Sequence, residues 1–121
     1  NIISTSVNQV IPGLGVSNTI RGAVAQWVKT LAIELGPYGI TANNVLPGYI
    51  ETDRLKNLLV KSAKDKNVTY DQMITETEKK TALGRIGLPT EVASAVAFIA
   101  SEAGGYISGT NFSIDGGRFG I

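Results

Sequence analysis

The chain predicts an α/β layered fold, and three observations carry that prediction. Apolar side chains recur at helical spacing from Val16 to Leu35, a short apolar run from Ile40 to Leu46 stops at Pro47-Gly48, and a second helical pattern leads into an alternating segment at Asn111 to Ile114. Strands that alternate with helices form parallel units with right-handed crossovers, whose sheets need helices on both faces.

The opening residues Asn1-Ile2-Ile3-Ser4-Thr5-Ser6 are β-rich and apolar, with no initiator Met and no turn leading into them, so they read as a strand in the middle of a longer domain. In the long helix, Ile20, Val24, Trp27, Val28, Leu31 and Leu35 follow at i, i+4, i+7, i+8, i+11 and i+15, the pattern of one buried face. Ser17 or Asn18 is expected to cap its start, and Gly36-Pro37 to end it before a turn through Tyr38-Gly39. Residues 40 to 46 then read as a largely buried strand.

From Asp53 to Lys80 the chain concentrates seven basic and five acidic residues, with one narrow apolar stripe at Leu55, Leu58 and Leu59. Thr69 with Gln72 resembles a capping box that opens a second short helix. This stretch reads as a solvated helical hairpin inserted into the fold, with a role as a substrate lid as the functional reading. Pro89 suits a first helical position, Glu91 its first turn, and Val92, Ala95, Val96 and Ile99 a core face, which predicts a helix over 89 to 101. Gly104-Gly105 ends it, Ile107-Ser108-Gly109 turns, and the alternating strand runs to Asp115-Gly116-Gly117.

Composition narrows the function. Among 121 residues there is no cysteine and no histidine, which excludes a disulfide framework, the usual Cys/His zinc sites and any triad that needs an imidazole. Eleven basic against ten acidic side chains, well mixed, argue against nucleic-acid binding. No apolar run approaches the roughly 18 residues that span a bilayer and no basic-then-apolar leader is present, so the expectation is a soluble, cytoplasmic protein. Three strands make a sheet too small to stand comfortably alone, and a mean hydropathy of +0.11 is high for a small free-standing domain.

In open α/β sheets ligands bind beyond the carboxyl ends of the strands, which directs attention to Ser4 to Ser6, Pro47 to Thr52 and Asp115 to Gly117. Four stretches then carry a specific resemblance: Leu31-Ala32-Ile33-Glu34-Leu35-Gly36-Pro37-Tyr38-Gly39-Ile40; Asn43-Asn44-Val45-Leu46-Pro47-Gly48 with Thr52; Gly84-Arg85-Ile86-Gly87-Leu88-Pro89-Thr90-Glu91-Val92-Ala93; and Ile107-Ser108-Gly109 through Asp115-Gly116-Gly117. In order and spacing the chain resembles the C-terminal half of a classical short-chain dehydrogenase/reductase.

The resemblance implies a Rossmann-type doubly wound parallel sheet, of which residues 1 to 121 are the C-terminal portion, with the strand ending at Ser4 as the fifth of the sheet, the long helix as the sixth helix and the last strand as the seventh. It implies NAD or NADP as cofactor, a small carbonyl or alcohol substrate, and assembly as a homodimer or homotetramer through the last helix and strand. The glycine-rich phosphate loop and the acidic residue that would distinguish NAD from NADP are absent from this chain and belong to the N-terminal half of such a domain.

The family's catalytic Tyr and Lys stand at i and i+4 on the long helix, and registering on Leu31 to Leu35 places Ser17 and Arg21 there. Both side chains then project from one helical face, but a serine hydroxyl is a poorer proton donor than a phenol, and arginine is no simple substitute for lysine. A plain helix cap is the competing reading of Ser17. The family's catalytic Ser matches Ser4, with Thr5 and Ser6 close enough to compete. Pro47, Gly48, Tyr49, Ile50 and Thr52 match the loop that holds the nicotinamide, and Arg21 the ribose contact. Tyr49 is the one phenol near the inferred pocket and the candidate replacement donor, against plain packing on the lid. The expectation is a reductase or dehydrogenase; the alternative is a family member that keeps the fold as a nucleotide-binding or scaffold subunit.

Overall fold

A computed structural model of the chain describes residues 1–118. The order of elements is α1 (Gly15–Leu35), β1 (Asn44–Pro47), α2 (Asp53–Lys66), α3 (Tyr70–Glu78), α4 (Pro89–Ala100) and β2 (Asn111–Ile114), with short 3-10 turns at Thr5–Val7, Gly36–Tyr38 and Glu102–Gly104. β1 and β2 pair in parallel, with Asn44 opposite Asn111 and Pro47 opposite Ile114.

The expected first strand is reduced to a single parallel bridge between Ile2 and Val45, flanked by Val45 N donating to Asn1 O (2.7 Å) and Ile3 N to Val45 O (2.8 Å). Ser4 already caps the Thr5–Val7 turn, so only Asn1 to Ile3 can join the sheet on this side. The segments still lie in the order expected of parallel strands, with β1 between the opening residues and β2. The second strand is also shorter than residues 40 to 46 and begins at Asn44, because Ala42 and Asn43 bond to the turn before β2 instead: Gly109 N donates to Ala42 O and Asn43 Nδ2 to Ile107 O.

The start of α1 differs from expectation too. Gly13, with φ of +81°, turns the chain so that the helix begins at Gly15, with Leu14 at the cap position and no side-chain cap. Ser17 and Asn18 therefore lie inside the first turn, and Asn18 Nδ2 reaches back to Ile11 O at 3.0 Å. Of the expected buried face, Val28 is buried and Val24, Leu31 and Leu35 half-buried, but Ile20 and Trp27 are 58% and 56% exposed. A two-stranded sheet is too narrow to cover a helix of 21 residues. The helix end agrees with the sequence: Gly36 is the C-cap, and Gly39 in the left-handed region closes the turn.

Asn44 joins these layers. It is wholly buried and its Nδ2 donates both to Ala25 O of α1 (3.1 Å) and to Asn111 Oδ1 of β2 (2.9 Å). The hairpin of α2 and α3 forms as the sequence indicates, with Thr52 capping α2, a complete Thr69–Gln72 capping box opening α3, and a small core of Leu59, Ala63 and Met73. α4 opens at Pro89 and packs on both strands. None of the described helices is long and apolar enough to cross a membrane.

Candidate active site

The carboxyl ends of the strands converge because β1 and β2 stay locked together past their last residues. Gly48 N donates to Ile114 O at 3.0 Å, and the Gly48 backbone lies so close to Asp115 that a Cβ there would stand 2.6 Å from the Asp115 Cβ. Glycine is required by this approach rather than by φ. Gly116 and Gly117 then turn the chain with φ of +64° and +77°, and Asp115 Oδ1 accepts from Gly117 N at 3.0 Å. This agrees with a structural reading of Asp115-Gly116-Gly117.

From β1 the chain runs through Pro47-Gly48-Tyr49-Ile50 to Thr52. Reciprocal backbone bonds hold this loop to Gly87, from Gly87 N to Tyr49 O (2.9 Å) and from Glu51 N to Gly87 O (2.8 Å). Thr52 Oγ1 accepts from Leu55 N and donates to Ile50 O, both at 3.3 Å, so the hydroxyl caps α2 while lining the cavity. Tyr49 does not pack on the hairpin core as its structural reading supposed; its ring lies under the Arg118 guanidinium, 4.0 Å from the centroid.

One cavity of about 290 Å³ brings together Ser4, Ser17, Arg21, Pro47, Gly48, Tyr49, Ile50 and Thr52, whereas Thr5 and Asp115 to Gly117, also named from the sequence, do not line it. Ser4 has extended backbone and its Oγ accepts from Ser6 N at 3.1 Å, which leaves its own proton for a ligand. On α1, Arg21 Nε donates to Ser17 Oγ at 3.0 Å and Arg21 Nη1 to Ile3 O at 2.5 Å. Ser17 is thus no helix cap: its oxygen accepts from a cation one turn on, and its proton remains available.

Ser6 stands out once the fold is formed. It is 5% exposed, lines the same cavity, and its Oγ has no hydrogen-bond partner among the described residues. Proximity to Ser4 was its only sequence signal, since burial of one hydroxyl in a Ser-Thr-Ser run is not legible there. Arg54 and Arg118 also line the cavity, and no motif marked them.

Behind the loop, Arg85 grips Glu91 with two bonds (2.8 and 2.6 Å), and Leu88 N donates to Glu91 Oε2 at 2.7 Å. The Arg85 guanidinium first, then the Leu88 amide, hold the Glu91 carboxyl down to about 2. Among the described residues no group of His, Cys, Asp and Glu side chains is arranged to hold a metal ion.

Comparison with known proteins agrees with this geometry. A family profile described as "Enoyl-(Acyl carrier protein) reductase" matches residues 1–118. The chain is 40% identical over 100 residues to the short-chain reductase protein NovJ of Streptomyces niveus, covering 83% of this chain and 37% of that protein. It is 36% identical over 123 residues to versicolorin reductase stcU of Emericella nidulans, covering 98% of this chain and 47% of the relative. Among solved structures, a short chain dehydrogenase family protein from Francisella tularensis superposes with a TM-score of 0.93 at 32% identity, over 99% of this chain and 50% of that one. YwfH, an NADPH dependent reductase involved in bacilysin biosynthesis, superposes with a TM-score of 0.92 at 27% identity, over 100% and 46%. The chain spans about half the length, or less, of these relatives. The family profile spans all of the described residues, and the chain belongs to the short-chain dehydrogenase/reductase family.

Proposed function

We propose that the chain supplies the substrate half and the nicotinamide side of an NAD(P)-dependent oxidoreductase acting on a small carbonyl or alcohol. The single observation that carries this reading is the convergence of Ser4, Ser17, Arg21 and the 47–52 loop on one cavity at the carboxyl ends of the strands.

The site's chemistry fits such a cofactor. The half-buried Pro47-Gly48-Tyr49-Ile50 backbone and the Thr52 hydroxyl suit a carboxamide, Arg21 suits ribose hydroxyls, and the unpartnered Ser6 Oγ is a buried group in want of a ligand. When bound, the cofactor supplies or accepts the hydride. The chain's own residues do the rest: Ser4 donates to the substrate oxygen and orients it, while Ser17, polarised by Arg21, is the proton-bearing group nearest the position the family gives to tyrosine. The hairpin of α2 and α3 acts as a lid, since Arg54, Leu55 and Leu58 of α2 form one wall of the cavity. Assembly as a homodimer or homotetramer through α4 and β2 agrees with the exposure of Phe98 and Tyr106 beside them.

With the complete polypeptide, NADH and NADPH absorbance followed over ketones, aldehydes, sugars and alcohols is expected to show turnover that is lost in Ser4→Ala. The second reading is a nucleotide-binding subunit without catalysis, favoured by Arg21 spending two nitrogens on Ser17 and Ile3. Cofactor binding with no turnover across the panel would select it.

A further inference from the structure

We infer that Ser6 is a substrate-contact residue that selects a ketone bearing a hydroxyl on the carbon beside the reacting carbonyl. This deepens the reading of the site as an oxidoreductase, rests on it, and assigns the open Ser6 oxygen to the substrate rather than to the cofactor.

Thr5, Ser6, Asn18 and Asn44 each carry a shielded side-chain oxygen with no hydrogen-bond partner among the described residues. Of these only Ser6 lines the candidate cavity. A hydroxyl shielded from water and left unpaired is unfavourable, because the bonds it made to water in the unfolded chain are not replaced. Beside a cavity, the missing bond is held in reserve for what enters, and a ligand that lacks the matching group leaves the hydroxyl unpaired.

The place of Ser6 in the chain puts it with the substrate. It belongs to the Thr5–Val7 turn that Ser4 caps, and Ser4 is the residue assigned to the substrate oxygen; the nicotinamide is assigned to the 47–52 loop instead. Ser6 N donates to Ser4 Oγ at 3.1 Å, so the two serines stand side by side. A second substrate oxygen that Ser6 can meet is therefore one close to the reacting oxygen, on the adjoining carbon.

The role left open in the cavity is that of an acceptor. Ser4 Oγ accepts from Ser6 N, Ser17 Oγ from Arg21 Nε and Thr52 Oγ1 from Leu55 N, and no aspartate or glutamate lines the cavity. Of the serine and threonine oxygens there, only that of Ser6 accepts nothing among the described residues. A substrate hydroxyl can donate to it, whereas a plain ketone only accepts. The oxygen itself is shielded, so a turn about the Cα–Cβ bond between staggered positions brings it to the ligand. Ile11, Leu14, Leu55 and Leu58 supply apolar walls for the rest of the molecule. In the reaction the carbonyl carbon gains a hydride from NAD(P)H and its oxygen a proton from water through Ser17. The products are a vicinal diol and the oxidised cofactor, and the neighbouring hydroxyl stays chemically unchanged.

The test uses the complete polypeptide as parent, Ser6→Ala and Ser6→Cys. Without ligand, Ser6→Ala removes an unpaired buried hydroxyl, so its thermal midpoint is expected to equal or exceed the parent's. A clear fall would mean that the rest of the chain already pairs Ser6, and would overturn the inference. Calorimetric titration of the NADPH-saturated protein then compares α-hydroxypropiophenone with isobutyrophenone, which carries a methyl in place of the hydroxyl, and with β-hydroxypropiophenone, whose hydroxyl is one carbon further away. In the parent the α-hydroxyketone is expected to bind roughly tenfold more tightly than either. Ser6→Ala is expected to remove that preference, and Ser6→Cys, with a weaker hydrogen-bonding group of similar size, to keep part of it. Affinities for isobutyrophenone and NADPH are expected to stay within about twofold of the parent's, since neither uses the hydroxyl. No preference in the parent, a preference untouched in Ser6→Ala, equal binding of the β isomer, or a loss of NADPH affinity matching that for the α-hydroxyketone would each count against Ser6 as the contact. Preference without turnover of any ligand upholds the contact and removes the oxidoreductase reading; turnover of isobutyrophenone without preference does the reverse.

Discussion

The long helix α1 and the hairpin of α2 and α3 contrast within one chain. α1 runs for 21 residues with no side-chain cap, no acidic residue in its first turn and no basic residue in its last, and only Ala25 and Val28 are buried. The hairpin has Thr52 and Asp53 at the start of α2, Lys64 and Lys66 in its last turn, a full capping box at Thr69, and its own core of Leu59, Ala63 and Met73. Local devices hold the hairpin, while α1 depends on the opening segment through Arg21 and on β1 through Asn44. The candidate cavity is lined by residues of both, so its geometry depends on the long-range set of contacts as well as the local one.

The contrast predicts where damage spreads. Gly48→Ala places a methyl against the Asp115 backbone and is expected to cost about 3 kcal/mol, lowering the denaturation midpoint of the complete polypeptide and loosening β1, β2 and α1 together. A variant as stable as the parent would show that the strand ends are not held by this approach. Met73→Ala, at a side chain 3% exposed, is expected to cost about 2 kcal/mol, with faster amide exchange in α2 and α3 but unchanged exchange in β1. If the strands loosen as well, the hairpin is not an independent unit.

Thr69→Ala removes one arm of the capping box and is expected to cost about 1 kcal/mol, read as fraying of α3 alone. The smallest effect is a titration. The Glu91 carboxyl is held from its ordinary 4.5 to about 2 by Arg85 and the Leu88 amide. A depressed folded value means its contribution is present above about pH 4.5 and lost as pH falls toward about 2. Carboxyl chemical shifts should show Glu91 still ionised at pH 3.5, and Glu91→Gln should abolish this part of the acid dependence around Leu88 to Glu91.

Much of this was legible without coordinates, for identifiable reasons. The helical period of Val16 to Leu35, the Gly36-Pro37 stop, the Thr69–Gln72 box and the Pro89 start are relations between residues at most a few turns apart, and each produced the expected element. The i, i+4 spacing puts Ser17 and Arg21 on one helical face, and in the fold their side chains meet there. Ser4, Ser6 and the 47–50 loop with Thr52, named from the first two strand ends, line a common cavity, because a parallel sheet gathers its carboxyl ends on one edge; Asp115 to Gly117, from the last strand, do not line it.

The errors have a common origin as well. Ser17 is not the helix cap, and Ile20 and Trp27 are not buried, because periodicity gives the direction of a side chain but not what lies opposite. Gly13 moved the helix start forward, and a two-stranded sheet left part of the apolar face uncovered. The short opening bridge at Ile2 follows from Ser4 turning the chain, a choice between strand and cap that a hydroxyl residue can make either way.

The sequence by itself determined the helices, the parallel order of the strand segments, the family and the absence of any imidazole, since composition and short-range spacing suffice for these. Only the tertiary structure decided that Arg21 would spend two nitrogens on Ser17 and Ile3, that Ser6 would be buried without a partner, and that Arg54 and Arg118, 64 residues apart, would share one cavity. The physical reason is range: hydrogen bonds, burial and charge act over a few ångströms of space, and folding alone brings distant residues within them.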